Sequence, residues 1–158
     1  MNLGISIDGG HARGVLMDAA GTVVARGSSA VVDAAHGIVA AARETLAAAN
    51  GTRPSAAAVT FPDPDARKWP SDLSFLTAAI GEKVPIRTLS TGNASALAEV
   101  WYGSGKGARH LIAFSVGPCA SAGVISNGVL LLGAHGLASS VQWLALNPVE
   151  REDYRRMG

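Results

Sequence analysis

The sequence predicts an α/β protein with a mixed sheet, followed by a smaller region that is rich in strands. Short apolar runs alternate with helical patterns through the first two thirds of the 158 residues, which is typical of an α/β layer fold. Glycine-containing turns separate the first three runs, which favours antiparallel pairing before the first helix. The last third has apolar runs and turns without a clear helix.

Three short strands are predicted at the start of the chain, at residues 3–7, 14–18 and 22–26. The turns between them are "DGGHAR" and "AAGT", where glycine supplies the positive φ of a tight turn. Asp8-Gly9-Gly10 in the first turn could grip a phosphate or could be a plain hairpin turn. The first possibility would indicate a nucleotide-binding protein, and the second would leave the turn without a role in function.

Three helices are predicted, with the strands "AAAVTF" and "VPIRTLS" between them. Asp33 can cap the first helix, which Asn50-Gly51 ends. Ser71 can cap the second helix, which ends at Gly81. The third helix can be capped by Ser90, Thr91 or Asn93. Its apolar residues Leu97, Val100 and Trp101 are expected to face inward.

The glycine-rich stretch "GSGKGAR" is the candidate boundary between a first lobe, residues 1–104, and a second lobe with a tail, residues 105–158. In the second lobe, "HLIAFSV" and "AGVIS" predict a hairpin around "GPCAS". Asn127-Gly128 predicts a tight turn before a strand in "VLLLGA". Because no helix covers these strands, we expect two copies to associate as a homodimer.

Composition limits the partners and the compartment. The net charge is +1, only 16% of residues are charged and no basic stripe is present, so nucleic acid is not an expected partner. We expect a cytoplasmic chain without a membrane span, since the start lacks a basic, apolar signal segment and no run reaches about 20 apolar residues. A single cysteine, Cys119, excludes an internal disulfide and a multi-cysteine zinc site, and no metal is expected.

Several segments, in their order, carry a resemblance: "LGISIDGGHARGVLMDAAGTVV", "VTFPDPD", "GNASALAEVWYGSGKGARHLIAFSVG" and "SAGVISNGVLLLGAHGLA". The chain resembles the ROK (repressor, open reading frame, kinase) family of bacterial sugar kinases and regulators. The resemblance implies a ribonuclease H-like (actin-like ATPase) first lobe and a truncated, β-rich second lobe.

The resemblance also identifies the first phosphate loop, which has the pattern Asp-Xaa-Gly-Gly-Thr-Lys in ROK kinases. Ser6 stands at the position of the metal-side aspartate, and Gly10 and His11 stand at those of threonine and lysine. A serine cannot replace the charge of a carboxylate that holds magnesium. We therefore expect Asp8, Gly9 and Gly10 to form an inherited hairpin turn that no longer acts on a nucleotide.

The catalytic base of the family is an aspartate just before the Asn-Ala-Ala run. Thr91 occupies that position, and a threonine hydroxyl is not a base near neutral pH. Asn93 matches the family pattern and could bind a sugar-like ligand or cap its own helix.

The second phosphate loop of the family corresponds to "GPCASAG", from Gly117 to Gly123. Pro118 removes an N–H donor there, so the loop is expected to be vestigial, and we expect neither ATP nor magnesium as a cofactor. Cys119 could be a nucleophile or a small core residue.

The sequence thus predicts a non-catalytic ROK-like protein, a pseudokinase that binds a small polar or sugar-like molecule or acts as an interaction module. An alternative is a repurposed enzyme that uses the former sugar cleft, bounded by residues 62–65, Asn93 and His135, with Pro62 and Asp63 among the ligand contacts. A weak sugar kinase is a third possibility. The candidate acid, base and nucleophilic groups are His11, Asp63, Asp65, Cys119 and His135.

Overall fold

A five-stranded mixed sheet dominates the computed structural model, which describes residues 1–8, 10–62, 70, 72–116, 120–136, 138, 139 and 141. Its strand order is β3-β2-β1-β4-β5. β1 pairs with β2 and β2 with β3 in antiparallel fashion, whereas β1–β4 and β4–β5 are parallel. The strands are β1 Asn2–Asp8, β2 His11–Met17, β3 Val23–Ala30, β4 Ala56–Phe61 and β5 Ile86–Ser90. The predicted α/β class with a mixed sheet is confirmed.

The first hairpin is tighter than the sequence suggested. β1 ends at Asp8 and β2 begins at His11, so His11 and Arg13 are strand residues rather than part of a six-residue turn. The strand extends this far because Ala12 lies on the same core-facing side as Gly14 and Leu16 and is fully buried.

Helix α1, Ala34–Ala48, covers the core face of β2 and β3. The predicted cap is confirmed, since Asp33 Oδ1 accepts a hydrogen bond of 2.8 Å from the backbone N–H of His36. The helix lies directly on the sheet because a Cβ at Gly14 or Gly27 would collide with Thr45. Thr45 is fully buried and donates its hydroxyl to the Ala41 carbonyl at 2.7 Å.

Helix α2, Ser74–Ile80, starts later than predicted. Ser71, the predicted cap, lies outside the described residues. Asp72 holds the start of the helix by accepting hydrogen bonds from the backbone N–H and the hydroxyl of Ser74, at 2.8 and 2.7 Å. Both bonds lower the pKa of the Asp72 carboxyl, and the bond from the Ser74 hydroxyl has the larger effect. The predicted end is confirmed, with Gly81 at φ +113°.

Helix α3, Thr91–Tyr102, follows β5 without a loop. Ser90 is the cap among the three candidates, because its hydroxyl accepts from the Asn93 N–H at 3.3 Å. Leu97 and Val100 are half-buried. The prediction that Trp101 faces inward is wrong: its side chain is 56% exposed, because the helix is buried only near its start.

A second, three-stranded antiparallel sheet has the order β6-β7-β8. Its strands are β6 Leu111–Val116, β7 Ala120–Ser126 and β8 Val129–Leu130. Asn127 and Gly128 both have positive φ, which confirms the predicted turn, although β8 keeps only two residues of "VLLLGA".

The two sheets are joined by α3, which packs on β7 backbone to backbone. A Cβ at Gly92 would collide with the Ala122 backbone, and one at Gly123 would collide with the Gly92 carbonyl. The division between residues 104 and 105 stays a prediction. Among the described helices, none has both the length and the apolar character needed to cross a membrane.

Candidate functional site

The carboxyl ends of β1, β4 and β5 meet at one edge of the first sheet. Ser6 of β1 is in register with Thr60 of β4, and Phe61 of β4 with Ser90 of β5. In open α/β sheets, ligands bind beyond the carboxyl ends of parallel strands. We call this edge the strand-end site: Asp8, Pro62 and residues 90–93.

Two side-chain oxygens in the first turn of α3, among the residues of the strand-end site, are buried without a partner. Asn93 is only 2% exposed, and its Oδ1 has no hydrogen-bond partner. The hydroxyl oxygen of Thr91 is likewise buried without a partner. Because Ser90 caps the helix, the Asn93 side chain is not used for capping. A buried polar atom without a partner costs about 1–3 kcal/mol, so both oxygens favour an incoming hydrogen-bonding group.

The β1–β2 hairpin forms one flank of the site. Arg13 forms an ion pair with Asp8 at 3.2 Å, and both side chains are exposed. His11 is opposite Asp8 in the ladder and is also exposed. The Gly10 carbonyl accepts from the Val31 N–H at 2.7 Å, which fixes the turn to the end of β3. The carboxylate nearest the end of β1 is therefore held by an arginine.

The remaining predicted residues are distributed unevenly. Pro62 directly follows β4 at the strand-end site. The residue before it, Phe61, is in register with Ser90, after which α3 begins. Gly123 lies inside β7, where it contacts α3 rather than forming a loop. His135 lies in an exposed turn after β8, and no hydrogen bond or ion pair within the described part of the chain ties it to Asn93. The other candidates lie outside the described residues: Gly9, Asp63, Asp65, Gly117 and Cys119.

Sequence reasoning missed a groove of about 590 Å³ between α3 and β6. Ser95, Ser104, Ser115 and Ser121 line it together with Glu99, whose carboxylate accepts from the Ser104 N–H at 2.9 Å. The signal was weak, because the serines are far apart in the sequence. Over the described ranges, no group of three or more histidine, cysteine or acidic residues could hold a metal ion.

The sequence of the chain matches a protein-family model over most of its length. The model of the ROK family matches residues 3–151. The chain belongs to the ROK family. The resemblance seen in the sequence is therefore confirmed, and the fold is that of the actin-like ATPases in this family.

Proteins with known functions or solved structures match this chain to different extents. A glucokinase from Thermotoga maritima is 32% identical over 73 residues, which is 46% of this chain and 22% of that protein. A ROK glucokinase from Streptomyces griseus, solved with glucose and AMPPNP, superposes with a TM-score of 0.75 at 22% identity, over 93% of this chain and 51% of that one.

A ROK transcriptional regulator, homologous to the Escherichia coli MLC protein, superposes with a TM-score of 0.68 at 19% identity, over 92% of this chain and 41% of that one. The same fold thus occurs in kinases and in a regulator. The chain spans about half the length of the ROK kinases it superposes on, and the matched stretches cover about a fifth of the glucokinases.

Proposed function

We propose that this ROK chain binds a small polyhydroxylated, sugar-like molecule at the strand-end site and does not transfer phosphate to it. The observation that carries the proposal is the pair of buried oxygens without partners, Thr91 Oγ1 and Asn93 Oδ1. The glucose bound in the structurally similar Streptomyces griseus glucokinase supports the choice of a sugar as ligand.

The two oxygens have complementary hydrogen-bonding roles. An amide oxygen only accepts, so Asn93 Oδ1 selects a donor such as a sugar hydroxyl. A threonine hydroxyl both donates and accepts, so Thr91 can bind the oxygen of the same or a neighbouring ligand hydroxyl. Hydrogen bonds at buried positions are strengthened by the low local dielectric, which gives a small polar ligand useful affinity.

The absence of a base at position 91 supports binding without catalysis. Phosphoryl transfer to a sugar needs a group that accepts the proton of the attacking hydroxyl, and aspartate performs this role in kinases. Thr91 has no carboxylate, and the carboxylate of Asp8 is engaged by Arg13.

The described residues also fit a magnesium–nucleotide complex poorly. Magnesium is usually bound through one or two carboxylates together with phosphate oxygens. At the metal-side position of the family pattern the chain has the hydroxyl of Ser6, and at the lysine position it has His11. We therefore propose that no step depends on ATP.

The test is a thermal-shift and calorimetry series with glucose, mannose and N-acetylglucosamine, each with and without MgATP. Asn93→Ala removes the buried acceptor, and Ser95→Ala is a matched control because its exposed hydroxyl lies two residues further along the same helix. We expect at least one sugar to raise the Tm of the wild type and of Ser95→Ala equally, and Asn93→Ala to lose the shift.

Three results would contradict the proposal in different ways. If no sugar shifts the wild-type Tm at about 10 mM, the binding function is wrong. If the protein releases ADP from MgATP only when sugar is present, and this activity remains after further purification, the chain is a kinase. The proposal that it does not transfer phosphate would then be wrong. A MgATP shift without turnover would show that the nucleotide site is retained, against our proposal.

A further inference from the structure

The outer edge of β3, in the first sheet, is partly filled by a side chain of the neighbouring helix. In the described structure β3 pairs with β2 alone, so it is the last strand on its side of the sheet. The carboxylate of Glu44, on α1, accepts a hydrogen bond of 3.0 Å from the backbone N–H of Ser28. A backbone group that a further strand would use is therefore already bound by the chain itself.

The alternation of the strand explains why this N–H points away from the sheet. In an antiparallel pair, every second residue directs its N–H and C=O toward the neighbouring strand, and the residues between direct them outward. Val31 donates its N–H to the Gly10 carbonyl, on the β2 side, at 2.7 Å. Ser28 lies three positions earlier and points the other way, as do Arg26 and Ala30. Ser28 is thus the middle one of three outward residues.

Close packing of α1 on the sheet brings Glu44 to this edge. A Cβ at Gly27 would collide with the helix backbone at residues 44–45, so α1 lies directly against β3. From this position the Glu44 side chain extends to the outer side of the strand. In the described part of the chain no basic group lies within ion-pair distance of its carboxylate. The Ser28 N–H is therefore the partner that orients the carboxylate.

The half of β3 beside Glu44 has no other protection against pairing. Natural edge strands avoid pairing with other chains through charged side chains, prolines and bulges. The first half of β3 has such features, namely Arg26 and a register shift opposite residues 16–17 of β2. Residues 27–30, "GSSA", are small and uncharged and include no proline. Glu44 supplies the charged group that this half of the strand lacks.

We propose that Glu44 blocks this edge of the first sheet, and that without its carboxylate β3 pairs with β3 of a second copy of the chain. A second copy is the partner because antiparallel pairing about Ser28 is complementary to itself. Ser28 then lies opposite Ser28 of the second copy, and Arg26 lies opposite Ala30, so the two arginines do not meet. The bond between Glu44 and Ser28 is an autoinhibitory contact that keeps the sheet at five strands.

Hydrogen exchange at the Ser28 amide tests the block at its own position. In Glu44→Ala at low protein concentration this amide should exchange about tenfold faster than in the wild type, because a bond to a charged acceptor is lost. Glu44→Gln keeps an acceptor oxygen and should keep most of the protection. Arg43→Ala, at the neighbouring exposed position of α1, should leave the exchange unchanged. Equal exchange in Glu44→Ala and the wild type would overturn the proposal.

Sedimentation velocity from about 1 to 100 µM measures the pairing that follows. We expect Glu44→Ala to associate at a concentration about tenfold lower than the wild type, and Arg43→Ala to match the wild type. The Ser28 amide of Glu44→Ala should regain protection as the concentration rises, because a second β3 covers it. No added association, or association without this protection, would overturn the proposal. Glu44→Met also lacks the carboxylate and replaces Glu44→Ala in both tests if circular dichroism shows that Glu44→Ala does not fold.

A disulfide test decides whether the pairing is centred on Ser28. In a Cys119→Ser background, Ser28→Cys/Glu44→Ala should form a covalent dimer on mild oxidation, because the two copies place this position opposite itself. Ser28→Cys with Glu44 intact should crosslink much more slowly, since its backbone N–H is still bound by the carboxylate. Equal rates with and without Glu44 would overturn the proposal, because the edge would then be open in both.

Discussion

The two sheets of the molecule differ in how completely their apolar residues are covered. Residues of β1 to β5, α1 and α2 build one continuous core, to which β6, β7 and β8 contribute nothing. In the second sheet, by contrast, the large side chains of β6 are mostly exposed. The described hydrophobic core therefore lies on the first sheet, whereas the second sheet leaves most of its large apolar side chains on β6 exposed.

The largest expected effect on the free energy of unfolding comes from comparing two isoleucine-to-alanine substitutions, one in each sheet. Ile5→Ala truncates a residue that is 1% exposed, and should lower the free energy of unfolding by about 2–5 kcal/mol. Ile112→Ala, on the exposed face of β6, should change it by about 0.5 kcal/mol or less. Urea unfolding measures both free energies. Equal losses would show that the second sheet is as tightly packed as the first.

The junction between the sheets should give a smaller effect. Gly92→Ala adds a methyl group against the Ala122 backbone and should cost about 1–3 kcal/mol. In an ordinary helix the same change would stabilise by about 1 kcal/mol, so the sign of the effect is diagnostic. Ser95→Ala on the same helix serves as the control. A free energy of unfolding that is unchanged or higher in Gly92→Ala would mean that α3 and β7 separate easily.

The smallest effect concerns the start of α2, at the periphery of the first sheet. Bonds from Ser74 lower the pKa of Asp72 below its ordinary value of 3.8. A depressed pKa in the folded state stabilises the protein above the unfolded pKa, and this contribution is lost as the pH falls through the folded pKa. Asp72→Asn should thus be less stable than the wild type near neutral pH, and the two should converge well below pH 3.8.

Thermal unfolding at a series of pH values measures this convergence. Ser74→Ala provides the control, because it removes the hydroxyl that contributes most to the shift. Asp72→Asn should therefore have less effect in the Ser74→Ala background. A difference that is constant with pH would contradict an electrostatic origin.

Local chemistry makes much of the first sheet predictable. The run "AAAVTF" coincides with β4, the Asp33 cap forms as expected, and Asn127-Gly128 makes its turn in the second sheet. In each case the deciding interaction lies within a few residues of the signal. The family resemblance predicts the ribonuclease H-like type of the first lobe, which no local pattern contains.

Contacts between distant segments account for what the sequence could not predict. Helical spacing predicts an inward Trp101, but the close approach of Gly92 to β7 sets which part of α3 is buried. The unpartnered oxygens of Thr91 and Asn93 are equally hidden from the sequence, since a missing partner is a property of the packed site. The family pattern does identify Asn93 as a candidate ligand contact.

The contact of α3 with β7 has a consequence for tolerance to mutation. Gly92 and Gly123 meet backbone to backbone, so each position is closed to larger side chains for a steric reason that involves no ligand. Invariance of these two glycines among relatives would therefore report the joint between the sheets. Variation at Thr91 and Asn93, which flank Gly92 on either side, would instead record a change of ligand.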